Sequence, residues 1–208
     1  AQHASARISY DAGPISLISV TSLWNGTSSS VGDVDGGFGA AFLPPALTGP
    51  GLIPFTAETR DSVPKLKQFT QEFRIASNGD GALSYQAGVF YFDETLKIVS
   101  DNYSTLGDFA AGTLFTPAGG VNIIASQRQE SKAWGVFGSA TFAITDTLKL
   151  TGGIRYNNDK RDFTASRDFD SFPFDIFGAI FPTPPLLGTV TRTTKDDNIT
   201  WDVSANYE

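Results

Sequence analysis

The stretch Ala133–Tyr156, AWGVFGSATFAITDTLKLTGGIRY, constrains the fold more than any other. Trp134, Val136, Gly138, Ala140, Phe142 and Ile144 share one parity; Ala133, Gly135, Phe137, Ser139, Thr141 and Ala143 share the other. After the polar break Thr145-Asp146-Thr147, the alternation resumes, with Leu148, Leu150, Gly152, Ile154 and Tyr156 set against Lys149, Thr151, Gly153, Arg155 and Asn157. Successive side chains of a strand point to opposite faces, so this stretch predicts a hairpin with one apolar face and one small or polar face. The face that carries Lys, Arg, Thr and Ser is no protein core. The apolar face needs a cover, which is either a second sheet or lipid.

The same alternation recurs along the chain. Ala6, Ile8 and Tyr10 alternate with polar residues up to a turn at Asp11-Ala12-Gly13-Pro14. A strand from Ile15 to about Trp24 follows. Its faces stay ambiguous, because Ile15 and Leu17 fall on one parity and Ile18, Val20 and Trp24 on the other. Alternation returns at Gln68–Ser77, turns at Asn78-Gly79-Asp80-Gly81, and continues from Leu83 to Phe92, with β character extending to about Val99. A strand beginning near Ile124 leads into the opening hairpin, and Ile199, Trp201, Val203, Ala205 and Tyr207 form a last alternating set. Between these strands the pattern dissolves over residues 25–64, 100–122 and 163–190, stretches too long for connections inside a compact domain.

The tight turns near residues 12, 79 and 146 recur about every 65 residues, and every other connection is long, which is the rhythm of a transmembrane β-barrel. A soluble β-sandwich shows shorter strands and more frequent turns. An apolar content of 40% fits either reading, because a barrel needs an apolar residue only at every second position. No apolar run approaches the length of a spanning helix. The net charge of −7, with no basic stripe, argues against nucleic acid as a partner. The absence of Cys excludes a disulfide scaffold and Cys-ligated metal sites.

The stretches FTQEFRIAS at Phe69–Ser77, YQAGVFYFDE at Tyr85–Glu94 and WGVFGSATFAITDTLKLTGGIRYNNDKRDF at Trp134–Phe163 resemble TonB-dependent receptors of the bacterial outer membrane. The opening ARISYDAGPISLISVTSLW and the closing WDVSANYE are similar to further strands of the same barrel. The resemblance implies an all-β, antiparallel transmembrane barrel of about 22 strands in the outer membrane of a Gram-negative bacterium. It also implies a plug domain inside the barrel and import of a scarce large nutrient, such as an iron–siderophore, with energy passed on by TonB. About seven strands are countable here, an odd number that cannot close such a barrel alone. Residues 1–208 are therefore expected to be part of the barrel domain, with the plug and the remaining strands outside them. A passive porin or channel is the alternative within the membrane, and a secreted β-sandwich binding module the alternative outside it.

The resemblance sorts the candidate residues by face. Tyr85, Val89, Tyr91, Trp134, Val136, Phe142, Leu148, Leu150, Ile154, Trp201, Val203 and Tyr207 are expected to face outer-membrane lipid. Glu72, Arg74, Lys149, Arg155 and Asp202 are expected to face the lumen, meeting plug or substrate there, or satisfying one another across strands. Tyr103, Phe109, Phe115, Phe172, Phe174, Phe177 and Phe181 fall in the long connections and are candidate extracellular ligand contacts.

No catalytic function and no cofactor are expected. The one His, His3, stands alone, no Gly-x-Ser-x-Gly is present, and Gly36-Gly37-Phe38-Gly39 lacks the spacing of a dinucleotide site. Gly32-Asp33-Val34-Asp35-Gly36 offers oxygen ligands but reads more simply as a solvated acidic loop.

Overall fold

The computed structural model describes residues 1–34, 57–79, 81–104, 121–171 and 188–207. They form seven strands and one sheet: β1 (Gln2–Asp11), β2 (Ile15–Asp33), β3 (Ala57–Ser77), β4 (Leu83–Ser104), β5 (Val121–Ala143), β6 (Leu148–Ser171) and β7 (Gly188–Tyr207). Each strand pairs antiparallel with the next, in the order of the chain, and β1 and β7 are the two edges of an open sheet. The all-β, antiparallel, seven-stranded architecture expected from the sequence is the observed one. Among the described residues no helix is long and apolar enough to cross a membrane, which has no bearing on crossing by strands.

Among the described residues no apolar side chain is buried. A single sheet has two faces and no interior, so it cannot by itself remove its apolar surface from water. The sequence alternative of a β-sandwich requires a second sheet, and the described strands make one layer.

The strands are longer than the hydrophobic alternation indicates. β2 runs on to Asp33 rather than ending near Trp24, and β3 begins at Ala57 rather than Gln68. β4 reaches Ser104, β5 starts at Val121, β6 reaches Ser171 and β7 starts at Gly188. From β2 to β7 the strands run 19 to 24 residues, about twice the 9–11 that a bilayer crossing needs. The extra length carries polar residues on both faces. Period-two hydrophobicity marks a strand only where one face is apolar, so the pattern was silent there.

The three tight turns lie at one end of the sheet and are built locally. Gly13 has φ of 83° and donates its N–H to Asp11 Oδ1 at 2.8 Å, a left-handed conformation that glycine adopts without a Cβ clash. Thr145 Oγ1 accepts the N–H of Leu148 at 3.0 Å, closing the turn of the opening hairpin. Asn78, in the next turn along, donates to Asp11 Oδ1 at 2.9 Å and to the Gly13 carbonyl at 3.1 Å, and accepts from Ser16 Oγ at 2.6 Å. One side chain thus ties the first two turns together. β3 carries a bulge beside Pro64 that shifts its register against both neighbours, between Ser62 and Lys65 against β4 and between Val63 and Leu66 against β2. A bulge there accommodates the N–H that proline lacks.

Candidate functional site

Residues directly opposite in an antiparallel pair share a face, so the register assigns every strand. Leu17 and Ile75 are opposite one another, as are Ile75 and Ala87, Val89 and Val136, Val136 and Tyr156, and Ile154 and Trp201. The twelve residues expected to meet lipid therefore fall on one continuous face: Tyr85, Val89 and Tyr91 on β4, Trp134, Val136 and Phe142 on β5, Leu148, Leu150 and Ile154 on β6, and Trp201, Val203 and Tyr207 on β7. The ambiguous strand is resolved by its neighbour. Leu17 and Ser19 oppose Ile75 and Phe73 on the apolar face, while Ile18, Val20 and Trp24 oppose Arg74, Glu72 and Gln68 on the other.

Aromatic side chains bound the apolar face at both ends. At the end away from the tight turns stand Phe69, Tyr91, Trp134, Tyr156 and Trp201, with ring centroids of Phe69 and Tyr91 6.2 Å apart and those of Trp134 and Tyr156 5.4 Å apart. At the turn end stand Tyr10, Tyr85, Phe142 and Tyr207. The two belts run obliquely to the hydrogen-bond rows. The row through Tyr10 passes Leu17, Ile75, Ala87, Gly138 and Ile154 and meets β7 at Trp201, six residues from Tyr207. Six residues of offset over six strand steps is one residue per strand. With about 3.3 Å per residue and 4.8 Å between strands, belts at constant height require strands tilted by about 35°, the tilt of outer-membrane barrels. On β5 the belts are eight residues apart, Trp134 to Phe142, or about 21 Å in height at that tilt.

The opposite face carries the five residues expected to line a lumen. Arg74 donates to Glu72 Oε1 at 2.5 Å on its own strand, and its guanidinium lies 5.8 Å from the centroid of Phe137. Arg155 Nε donates to Asn157 Oδ1 at 2.6 Å, and Asn157 Nδ2 donates on to Asn198 Oδ1 at 3.0 Å. Asp202 lies directly opposite Gly153, and Lys149 opposite Asn206. The structure brings Arg155 and Asp202 together as walls of one shallow cavity of about 430 Å³ with Phe137 and Thr200. Arg74 and Glu72 are separate from them. Ile18, Val20 and Phe90 also lie on this face, which is less polar than the opening hairpin suggested.

Of the candidate ligand contacts, Tyr103 is described, and it lies in β4 rather than in a connection. Its ring is 5.6 Å from the Arg60 guanidinium, on the strand beside it. Phe109, Phe115, Phe172, Phe174, Phe177 and Phe181 lie outside the described residues. Asp33 is part of β2, opposite Glu58, and no group of metal-ligating side chains is found among the described residues.

Beyond the upper aromatic belt the face that was apolar becomes charged. Arg128 and Glu130 pair two residues apart on β5; Lys160 and Asp162 pair likewise on β6, at 2.6 Å; and Lys132 reaches Asp93 across strands at 3.8 Å. The hydrogen bond and charge of Arg128 hold the Glu130 carboxyl below its ordinary range. Hydrogen bonds from Lys160 and Thr193, with the charge of Lys160, do the same for Asp162. Sequence reasoning missed this band, although the lysines and acids recur at period two.

The chain matches the family described as TonB dependent receptor-like, beta-barrel, over residues 5–208. Among solved structures it is similar to the ferric yersiniabactin uptake receptor FyuA from Yersinia pestis, at 14% identity and a TM-score of 0.63, covering 96% of this chain and 24% of that one. It is also similar to the RagAB peptide importer in its open-open state, at 12% identity and a TM-score of 0.50, covering 99% of this chain and 26% of that one. At these identities the likeness is one of fold. The chain spans about a quarter of the length of the solved chains it matches. No match is found among curated proteins.

Proposed function

The chain belongs to the TonB-dependent receptor-like β-barrel family, and from that membership we propose that it forms part of the barrel wall of an outer-membrane active-transport receptor, energised through TonB. The family is one of receptors and transporters, not enzymes. The observation that carries the proposal is the single-layered sheet, with no buried apolar side chain among the described residues and an apolar face bounded by two aromatic belts. Such a face is stable only against lipid or an equivalent apolar cover. On this reading residues 1–208 are one sector of a larger barrel. The opposite face, with Arg74, Arg155 and Asp202, faces a plug domain and the path of the nutrient. The nutrient class best supported is an iron–siderophore, because the FyuA receptor shares the fold and takes up ferric yersiniabactin; a peptide is the alternative that the RagAB importer suggests.

Two measurements on the full-length protein test this. It partitions into the outer-membrane fraction and shows heat-modifiable mobility on gels. Uptake of iron–siderophore by cells that carry it stops when TonB is deleted. Uptake indifferent to TonB would assign a passive channel instead, and recovery in the soluble fraction would exclude both.

A further inference from the structure

Between the belts the apolar face is not uniform. On β2 and β3 it carries three polar side chains, with Thr21 directly opposite Gln71 and Ser19 directly opposite Phe73. Gln71 lies two residues inside Phe69 of the upper belt, and Ser19 two residues inside Leu17, which is opposite Tyr10 of the lower belt. The cluster is therefore within the band and not at its edge. Thr21 Oγ1 donates to Gln71 Oε1 at 2.6 Å, and Gln71 Nε2 donates to Ser19 Oγ at 3.0 Å and to the Glu72 carbonyl at 3.1 Å. These bonds pair the amide, which would otherwise be costly in hydrocarbon. The hydroxyls keep unused capacity. Ser19 accepts from Gln71, and its own proton has no acceptor among the described residues. Thr21 donates to Gln71, and its oxygen accepts from no donor among them.

Lipid tails offer nothing to either hydroxyl. Beside the cluster β1 presents Ala4 and Ala6, opposite Leu23 and Thr21. Small side chains let a second surface approach closely, and hydroxyls then bond across it, as they do between transmembrane helices. The partner has to carry neutral donors and acceptors at the same depth, because a charged group there would have to be desolvated. A hydroxyl both donates and accepts, so a patch of hydroxyls is complementary to itself. Copies of one receptor lie in the membrane at one depth and in one orientation. A two-fold axis along the membrane normal brings Ser19 and Thr21 level with the same residues of a second copy. We propose that the apolar face of β1 to β3 is the contact between two copies of this chain within the membrane, bonded through the Ser19 and Thr21 hydroxyls and held in shape by Gln71. The proposal rests on the reading of the apolar face as membrane-embedded.

The test uses the full-length receptor in phosphatidylcholine vesicles, as a mixture of copies carrying donor and acceptor dyes, with energy transfer followed as the vesicles are diluted with excess lipid. The unaltered protein shows transfer above that of random mixing, and dilution gives a dissociation constant for the dimer. The double variant Ser19→Ala, Thr21→Val keeps the shape of the face without the hydroxyls, and its dissociation constant is expected to rise about tenfold. Leu150→Val, on the same face of β6, leaves the constant unchanged. Transfer no greater than random mixing in the unaltered protein, which needs no variant to fold, overturns the proposal in favour of a lipid cover. An unchanged constant in the double variant overturns it too, as does a receptor that is single in vesicles and leaves native membranes bound to a different protein. Heat-modifiable mobility and vesicle partition of the unaltered protein separate the two readings: if both are lost, the membrane reading falls and takes the proposal with it; if both persist and the receptor is single, the proposal alone falls.

Discussion

Gly88 on β4 lies directly opposite Phe137 on β5, and the phenyl ring occupies the space a side chain on residue 88 would need. A Cβ there would stand 2.6 Å from Phe137 Cζ and 2.7 Å from the Phe73 carbonyl oxygen. The arrangement repeats on successive strands, with Gly135 opposite Asn157 and Gly153 opposite Asp202. In each of these three pairs the larger side chain lies over a glycine of the preceding strand, and the first of them seats the Phe137 ring 5.8 Å from the Arg74 guanidinium.

Gly88→Ala is expected to destabilise the full-length barrel by about 1–3 kcal/mol, the cost of overpacking, because the obstructing atoms include backbone. Gly138→Ala is on the apolar face, where a Cβ meets its nearest neighbours at 3.7 and 3.8 Å, and should change stability by less than about 0.5 kcal/mol. Urea midpoints measured in detergent compare the two. Equal midpoints would show that the Phe137 ring is not seated over Gly88.

Val136→Arg or Leu150→Arg places a charge between the belts and should impair membrane assembly by about 2–4 kcal/mol, while Thr151→Arg on the opposite face should be milder. Folding yields into phosphatidylcholine vesicles measure this. Equal tolerance on both faces would remove the lipid-face assignment.

Glu72 and Arg74 are both partly exposed on the polar face, with side-chain exposures of 24% and 36%. Such a pair contributes little, so the double variant Glu72→Gln, Arg74→Gln should lose no more than about 1 kcal/mol. A larger loss of the urea midpoint would mean that the pair supports the sheet rather than lying ready for a partner.

Gly13→Val forces a β-branched residue into φ of 83° and should cost about 1–2 kcal/mol. Asn78→Ala removes the side chain that ties this turn to the next. Being exposed, its hydrogen bonds should contribute about 1 kcal/mol together. Both are read from unfolding midpoints; a Gly13→Val variant as stable as the parent would indicate that the turn relaxes to another conformation.

The carboxyls of Glu130 and Asp162 lie outside the apolar band and titrate below their ordinary range. A lowered folded value means that their contribution to stability is present above the unfolded value of about 4 and is lost as the pH falls through the folded one. Stability should therefore show no dependence on these two groups between neutral pH and about pH 5. Infrared titration of the parent against Glu130→Gln checks this, and a titration midpoint at or above the ordinary value would contradict the pairing with Arg128.

Alternation alone determined that this chain forms strands, which residues share a face within each strand, and where the tight turns fall. Trp134, Val136 and Phe142 could be set on one side, and Thr145-Asp146-Thr147 made a turn, because the period of two is a local property of an extended backbone. It could not decide the faces of Ile15–Trp24, where apolar residues occur on both parities; only pairing with Phe73 and Ile75 did. It could not find the strand halves beyond the belts, since a strand with two polar faces has no hydrophobic period. The oblique course of the belts, the seating of Phe137 over Gly88 and the cluster of Ser19, Thr21 and Gln71 are all relations between strands. Their register is set by backbone hydrogen bonds over separations of tens of residues, and no pattern within a single strand contains it.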